Sequence, residues 1–234
     1  MQTLFDALTE SLELLISLDP HLMGIISVTL RVTLSSLLIS TVIGLPVGAL
    51  MGLTGRLPAR GMVMALLYTG MGLPPVVVGL IVFVLLSRTG PLGDLSWLFT
   101  TMAMISAQTI IALPLVIGLT MSAVSGVDPA LQMQLRGLGA TRWQIVVTVL
   151  TEAKLGVLAA IAAGFGRIVA EVGAVMLVGG NIEGKTRVLT TAIVLETRKG
   201  AFAIALALGI VLLGFTFLAN GALLRFGGWR ARSR

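Results

Sequence analysis

The chain has 234 residues, of which 56% are hydrophobic and 11% charged, and its mean hydropathy is +1.04. This leaves too little polar surface to cover a soluble globule, so the composition predicts an all-α integral membrane protein. The net charge of +6 does not indicate nucleic-acid binding, because the cations are spread along the chain. The absence of cysteine excludes disulfides and thiolate metal sites.

Residues 1–20 predict an amphipathic helix lying on the outer membrane surface. Their apolar side chains recur on one helical face, while Asp6, Glu10 and Glu13 fall outside it. The same acids disfavour the alternative of a sixth span. Because no basic residue precedes Arg31, the segment lacks the basic start of a cleavable signal peptide.

Five apolar stretches are each longer than the ~20 residues that cross about 30 Å of hydrocarbon as a helix. They cover residues 23–51, 61–87, 96–124, 155–179 and 201–224. We therefore expect about five transmembrane helices in one membrane domain, residues 21–226, followed by a basic tail at residues 227–234.

The distribution of basic residues predicts the side of the membrane that each loop occupies. The N-terminal segment is acidic, whereas the turn at Arg56 and Arg60, the polar segment 128–154 and the C-terminal tail are basic. The positive-inside rule then places the N-terminus outside and the C-terminus in the cytoplasm. Four cations between the fourth and fifth spans oppose this assignment: Lys185, Arg187, Arg198 and Lys199.

Glycine and proline positions predict close helix packing and local breaks. Gly44, Gly48 and Gly52 repeat at the four-residue spacing that lets two helix backbones approach. Pro74 and Pro75 remove backbone donors, which frees carbonyl groups that can line a translocation path. Packing alone is the alternative explanation of both features.

Three charged residues, Arg31, Arg167 and Glu171, fall within the predicted spans, where a central charge costs about 2.5–3.5 kcal/mol on insertion. Arg167 and Glu171 are four residues apart, so we expect them on one helix face as a neutralising pair. The alternative is that they border the path of a transported solute.

Residues 128–154, the only long polar interruption, predict a helix-turn-helix elbow. Asp128 can cap a helix that begins with proline, where the missing N–H costs nothing. Gly137 and Gly139 suit positions of positive φ, and Thr141 followed by Gln144 has the spacing of a capping box.

The side chains of this elbow have the composition of a protein-binding surface. Leu135, Leu138 and Trp143 alternate with Arg136 and Arg142. An ordinary cytoplasmic loop is the alternative. A DNA-reading elbow is disfavoured because it would be tethered within a few residues of the bilayer.

Residues 179–186, Gly-Gly-Asn-Ile-Glu-Gly-Lys-Thr, match the pattern of a phosphate-binding loop. We do not expect a nucleotide site, because the polar segments are too short to build the parallel sheet and metal-binding strand that it needs. We expect the loop at the outer mouth of the fourth span, where Asn181, Lys185 and Arg187 can face an anionic solute.

The elbow resembles the coupling segment of the permease subunits of bacterial ABC importers. In that family, two short helices around a glycine insert into a cleft on the ATPase subunit, after a Glu-Ala-Ala signature. Here Leu138-Gly-Ala-Thr-Arg-Trp-Gln144 matches the stretch around that glycine, and Met133, Gln134 and Leu135 replace Glu-Ala-Ala. The resemblance implies that these nine residues couple to the ATPase: Arg136, Gly137, Leu138, Gly139, Ala140, Thr141, Arg142, Trp143 and Gln144.

The second half resembles the tungstate importer permeases, close relatives of the molybdate and sulfate permeases. The residues that carry the resemblance include Gly164-Phe-Gly-Arg-Ile-Val-Ala-Glu-Val-Gly-Ala-Val-Met-Leu-Val-Gly-Gly-Asn-Ile182 and Thr186-Arg-Val-Leu-Thr-Thr-Ala-Ile193. The similarity extends from about Thr29 to Gly221. It implies the transmembrane domain of a type I ABC importer and a permease for an oxyanion: tungstate, or alternatively molybdate or sulfate.

The same resemblance implies the partners of this chain. They are a second copy in a homodimer in a bacterial or archaeal inner membrane, two ATPase subunits beneath it, and an external solute-binding protein. Transport would proceed by alternating access. Because ATP hydrolysis would take place on the separate subunit, we expect no catalytic residue, cofactor or metal in this chain.

An ion-coupled secondary transporter is an alternative, with Arg31, Arg167 and Glu171 as its relay. The inverted repeats frequent in such carriers are not evident in the sequence. A membrane enzyme is disfavoured, because His21 is the only histidine and no nucleophile-base pair or metal cluster appears.

Overall fold

The computed structural model describes residues 20–54 and 59–228, together with Thr9, Glu13, Ile16 and Ser17, and excepting the side chains of residues 60, 223–224 and 226–228. The predicted amphipathic segment at residues 1–20, the turn cation Arg56 and the charged end of the basic tail lie outside this part of the chain, apart from those four positions and Pro20.

Within the described residues the chain forms ten α-helices, one short 3-10 helix at Gly93–Leu95 and no strand, which confirms the all-α prediction. The helices are α1 (Pro20–Leu53), α2 (Arg60–Gly72), α3 (Pro75–Leu86), α4 (Thr101–Ser125), α5 (Pro129–Gly137), α6 (Arg142–Glu152), α7 (Lys154–Val169), α8 (Gly173–Gly179), α9 (Leu189–Lys199) and α10 (Phe202–Gly228).

Three described helices, α1, α4 and α10, are each long and apolar enough to cross a membrane. They match the predicted spans 23–51, 96–124 and 201–224. Two bent pairs, α2 with α3 and α6 with α7, raise the number to five if each pair is one span. Within the described residues the structure therefore gives three unbroken spans and at most five, the higher number counting α6 of the elbow together with α7.

The predicted span 155–179 is not one helix. α7 ends at Val169, and α8 begins at Gly173. The Glu171 carboxylate accepts a hydrogen bond from the Ala174 N–H, 2.8 Å away, so it satisfies a backbone donor at the start of α8. The predicted span 61–87 is also interrupted, because Pro74 and Pro75 cannot continue the hydrogen bonding of α2.

The chain divides into two compact units. One unit consists of Met1–Ser36, Pro74–Gln108 and Ile168–Ala219. It has a core of buried residues from α1, α9 and α10: Leu22, Ile25, Leu189, Ala192 and Leu208. Close van der Waals packing of these apolar side chains stabilises it.

The other unit consists of Leu37–Leu73, Thr109–Arg167 and Asn220–Arg234. Its glycine seam confirms the predicted close approach of two helices. A Cβ added at Gly48 would lie 2.6 Å from the carbonyl oxygen of Ile117, and one at Gly52 would lie 2.8 Å from that of Met121. The repeat therefore packs α1 against α4 within one chain.

Candidate functional site

The first helix of the elbow, α5, begins as predicted. The Asp128 Oδ1 atom accepts a hydrogen bond of 2.8 Å from the Ala130 N–H, and Pro129 occupies the first helical position. These groups satisfy the first turn of α5 without help from the rest of the protein. The entry of the chain into the elbow is therefore fixed locally.

The turn between α5 and α6 is a Schellman motif. The Ala140 N–H donates to the Leu135 carbonyl and the Gly139 N–H donates to the Arg136 carbonyl, both over 3.0 Å. Gly139 has a φ of +78°, which confirms its predicted positive φ. The same prediction for Gly137 is wrong, because α5 continues through that residue and the motif needs only one left-handed position.

The second helix, α6, opens with the predicted capping box. The Thr141 N–H donates to Gln144 Oε1 over 2.7 Å, and the Gln144 N–H donates to Thr141 Oγ1 over 3.3 Å. Two backbone donors at the helix start are thus satisfied reciprocally. Both ends of the turn are held by hydrogen bonds within the elbow.

The inner face of the elbow is part of a hydrophobic core. Ile145, Val146 and Val149 of α6 are buried together with Ala49 of α1 and Val124 of α4. Partly buried apolar residues of the elbow pack against this cluster: Leu131, Leu135, Ala140, Leu150 and Ala153. Leu135 is therefore not the exposed anchor that the sequence suggested, because the Schellman motif turns it toward the core.

The outer face of the elbow exposes large apolar side chains. Leu138 is 84% exposed, Met133 68%, Trp143 63% and Val147 46%. Arg136 and Arg142 are also exposed. The nine residues predicted to couple to an ATPase, residues 136–144, therefore form one continuous turn. Its tip is apolar, which suits contact with another protein.

Arg167 and Glu171 do not share a helix, so their predicted placement on one helix face is wrong. α7 ends between them, and each side chain binds a backbone group in its own unit. Arg167 Nη2 donates to the Leu73 carbonyl over 3.0 Å, and Glu171 caps α8. The carbonyl freed before Pro74 and Pro75 is thus occupied by a guanidinium group. Arg31 is exposed on α1.

The loop that matches a phosphate-binding pattern is closed on itself. The buried Thr186 hydroxyl donates to the Gly179 carbonyl over 2.6 Å and accepts from the Ile182 N–H over 2.9 Å. The Ile182 carbonyl also accepts the N–H groups of residues 185, 186 and 187. The threonine that a nucleotide site would use to bind a metal ion is therefore engaged in the loop.

The predicted mouth residues of this loop lie in a small polar cluster. Glu183 bridges Arg187 Nη1 at 3.3 Å and His21 Nδ1 at 3.0 Å. Among the described residues, Asn181 Oδ1 and Arg187 Nε are buried without a hydrogen-bond partner, whereas Lys185 is exposed. Pro74 and Pro75 open α3 in the same unit.

One buried polar group was missed by the sequence reasoning. Gln108 on α4 is only 4% exposed, and its Nε2 donates to the Ile168 carbonyl over 3.3 Å while its Oε1 accepts from the Ser36 hydroxyl at 3.3 Å. It stabilises the end of α7 beside the break. A single amide in the apolar run of α4 was the available signal.

Comparison with known proteins gives one consistent result. The family described as "Binding-protein-dependent transport system inner membrane component" matches residues 44–226. A "Probable anion ABC transporter permease protein" of Haloferax volcanii is 40% identical to this chain. The alignment covers 88% of this chain and 90% of that protein. A "Tungstate uptake system permease protein" of Peptoclostridium acidaminophilum is 35% identical, covering 95% and 97%.

A solved structure shares the fold. A chain of the inward-facing MetNI methionine ABC transporter superimposes with a TM-score of 0.68, covering 92% of this chain and 97% of that chain, at 24% identity.

Proposed function

Because the chain belongs to the family of inner membrane components of binding-protein-dependent transport systems, we propose that it is the permease subunit of an ATP-driven oxyanion importer, with tungstate as the solute. The tungstate permease that matches along 95% of this chain supports the choice of solute. Molybdate and sulfate are the alternatives. The chain is a multi-pass protein of the inner membrane.

The elbow is the observation that carries the proposal. An importer driven by a separate ATPase needs a stiff element that transmits motion from that subunit to the membrane helices. α5 and α6 meet this requirement, because caps and a Schellman turn fix their ends and a buried face joins them to α1 and α4. The exposed Leu138 and Trp143 present the contact surface.

In this mechanism, residues 136–144 dock into the ATPase subunit on the cytoplasmic side. ATP binding closes the ATPase dimer, the elbow follows it, and the membrane helices open outward. A second copy of this chain completes the pathway, and an external binding protein delivers the anion. The chain contributes positioning and motion, with no catalytic step of its own.

The outer end of the path is assigned to the loop at residues 180–188. Lys185 and Arg187 carry positive charge there. An oxyanion can accept a hydrogen bond from the unpartnered Nε of Arg187, and a water bound to the anion can donate to the unpartnered Oδ1 of Asn181. Pro74 and Pro75, which begin α3, are assigned to the wall of the path at the other end of α8, where Val76 meets Gly173. Double substitution of Lys185 and Arg187 by glutamine should raise the KM for uptake.

The direct test is uptake into proteoliposomes that contain the permease, its ATPase and its binding protein. We expect ATP-dependent accumulation of labelled tungstate. A small excess of unlabelled tungstate should inhibit this uptake strongly, and the same excess of molybdate or sulfate should inhibit it weakly. If molybdate or sulfate competes better than tungstate, the assigned solute is wrong. Accumulation that needs an ion gradient and no ATPase would establish the secondary transporter instead.

A further inference from the structure

Arg136 and Arg142 line one groove beside the elbow, with a volume of about 500 Å³. Its other lining residues come from the end of α1 and from the elbow: Leu50, Leu53, Thr54, Ala140, Ile145 and Val146. None of these eight residues is acidic. The groove therefore combines two guanidinium groups and a hydroxyl with an apolar wall.

The charge of this groove is not neutralised by the described part of the chain. Neither arginine takes part in an ion pair there, and α6, which begins with Arg142, has no acidic residue in its first turn. Both guanidinium groups are exposed and line the same groove, so one bound anion can accept hydrogen bonds from both. The groove thus fits a ligand with negative charge.

The apolar wall of the groove favours an anion that also has an apolar part. Leu50 is 48% exposed, and Leu53 is the last residue of α1, a helix long and apolar enough to cross the membrane. The groove therefore opens at one end of a candidate membrane span, and we take this end as the level of the lipid headgroups. An inorganic oxyanion or a carboxylate would use only the arginines, whereas a phospholipid uses both halves.

We propose that this groove binds an anionic phospholipid from the leaflet on the elbow side. Its phosphate lies between Arg136 and Arg142, and an acyl chain follows Leu50 and Leu53. The lipid then joins α1 to the turn of the elbow. Lipid binding at this groove is separate from the proposed transport function, because it requires neither the ATPase nor the solute.

The test uses the purified permease alone, without ATPase, so that it is independent of transport. Native mass spectrometry after equilibration with equal phosphatidylglycerol and phosphatidylcholine should show retained phosphatidylglycerol on the wild-type chain. Arg136→Gln with Arg142→Gln should reduce that retention roughly 30-fold, from the usual attraction of two basic residues to anionic lipid. Arg136→Lys with Arg142→Lys should keep most of it.

The matched control is Arg88→Gln with Arg198→Gln, which removes the same charge from two exposed positions elsewhere. It should retain phosphatidylglycerol as the wild type does. Equal retention of the two lipids by the wild type, or equal losses in the groove and control variants, would overturn the proposal. Retention of phosphatidylglycerol by the groove variant at the wild-type level would also overturn the proposal, whether or not that variant still binds the ATPase.

Discussion

Arg167 donates a hydrogen bond from Nη2 to the carbonyl oxygen of Leu73, over 3.0 Å. Leu73 lies between the end of α2 and Pro74. In a continuous helix its carbonyl would accept from the Val77 N–H, but that N–H donates to the Pro74 carbonyl instead. The guanidinium group of Arg167 thus binds a backbone carbonyl at the helix break that Pro74 and Pro75 cause.

Replacing Arg167 by glutamine should lower the free energy of unfolding by about 1–3 kcal/mol, because it weakens a charge-assisted hydrogen bond to a freed carbonyl. Denaturant unfolding of the purified permease in detergent measures this change. Arg198→Gln, at an exposed position, is the control and should change little. Equal losses in the two variants would show that the bond to Leu73 contributes nothing specific.

Gly139→Ala should destabilise the elbow by about 1–2 kcal/mol, because alanine is strained at a φ of +78°. Gly137→Ala is the matched control two residues away. Its φ is helical and its Cβ would meet no atom within 4 Å, so it should be neutral or stabilising by up to about 1 kcal/mol. Denaturant unfolding compares the two, and the reverse order would contradict the assigned turn.

Gly48→Ala should cost about 1–3 kcal/mol, because the new methyl group would overlap the Ile117 carbonyl and force α1 away from α4. Gly24→Ala, on the same helix, has open space around its Cβ and serves as control. Their thermal unfolding midpoints in detergent should differ clearly. Identical midpoints would mean that the glycine seam is not a tight contact.

The absence of cysteine makes the orientation of the chain directly testable. In cells that express the permease without its ATPase, single cysteines in place of Trp143 and Lys185 should react with an impermeant maleimide from opposite sides: the first only after the membrane is permeabilised, the second in intact cells. Both positions are exposed, so labelling needs no unfolding. Labelling of the Trp143→Cys variant in intact cells would exclude the proposed docking to a cytoplasmic ATPase.

Local signals in the sequence were sufficient to predict the helix caps of the elbow. Asp128, Thr141 and Gln144 act over two or three residues, and their hydrogen bonds occur as predicted. The long spans α1, α4 and α10 were also predictable, because apolar length alone determines them.

Features that depend on contacts between distant parts of the chain were harder to predict from the sequence. The break after Val169 lies between Arg167 and Glu171 in an otherwise apolar stretch, so hydropathy does not reveal it. It depends on Gln108 and Thr190, whose side chains donate to the carbonyls of Ile168 and Glu171. The inward direction of Leu135 follows from the turn geometry, which spacing alone does not specify. For the same reason the sequence could not show that Arg136 and Arg142 line one groove.

In the mechanism that we propose, a separate ATPase drives this permease through the tip of the elbow. The most direct measurement is ATP hydrolysis by the reconstituted complex, with and without solute-loaded binding protein. Leu138→Asp with Trp143→Asp should abolish stimulation of hydrolysis and uptake of the oxyanion, while Arg88→Gln leaves both unchanged. Full stimulation of ATP hydrolysis and full uptake in the elbow variant would show that the ATPase does not drive the permease through Leu138 and Trp143.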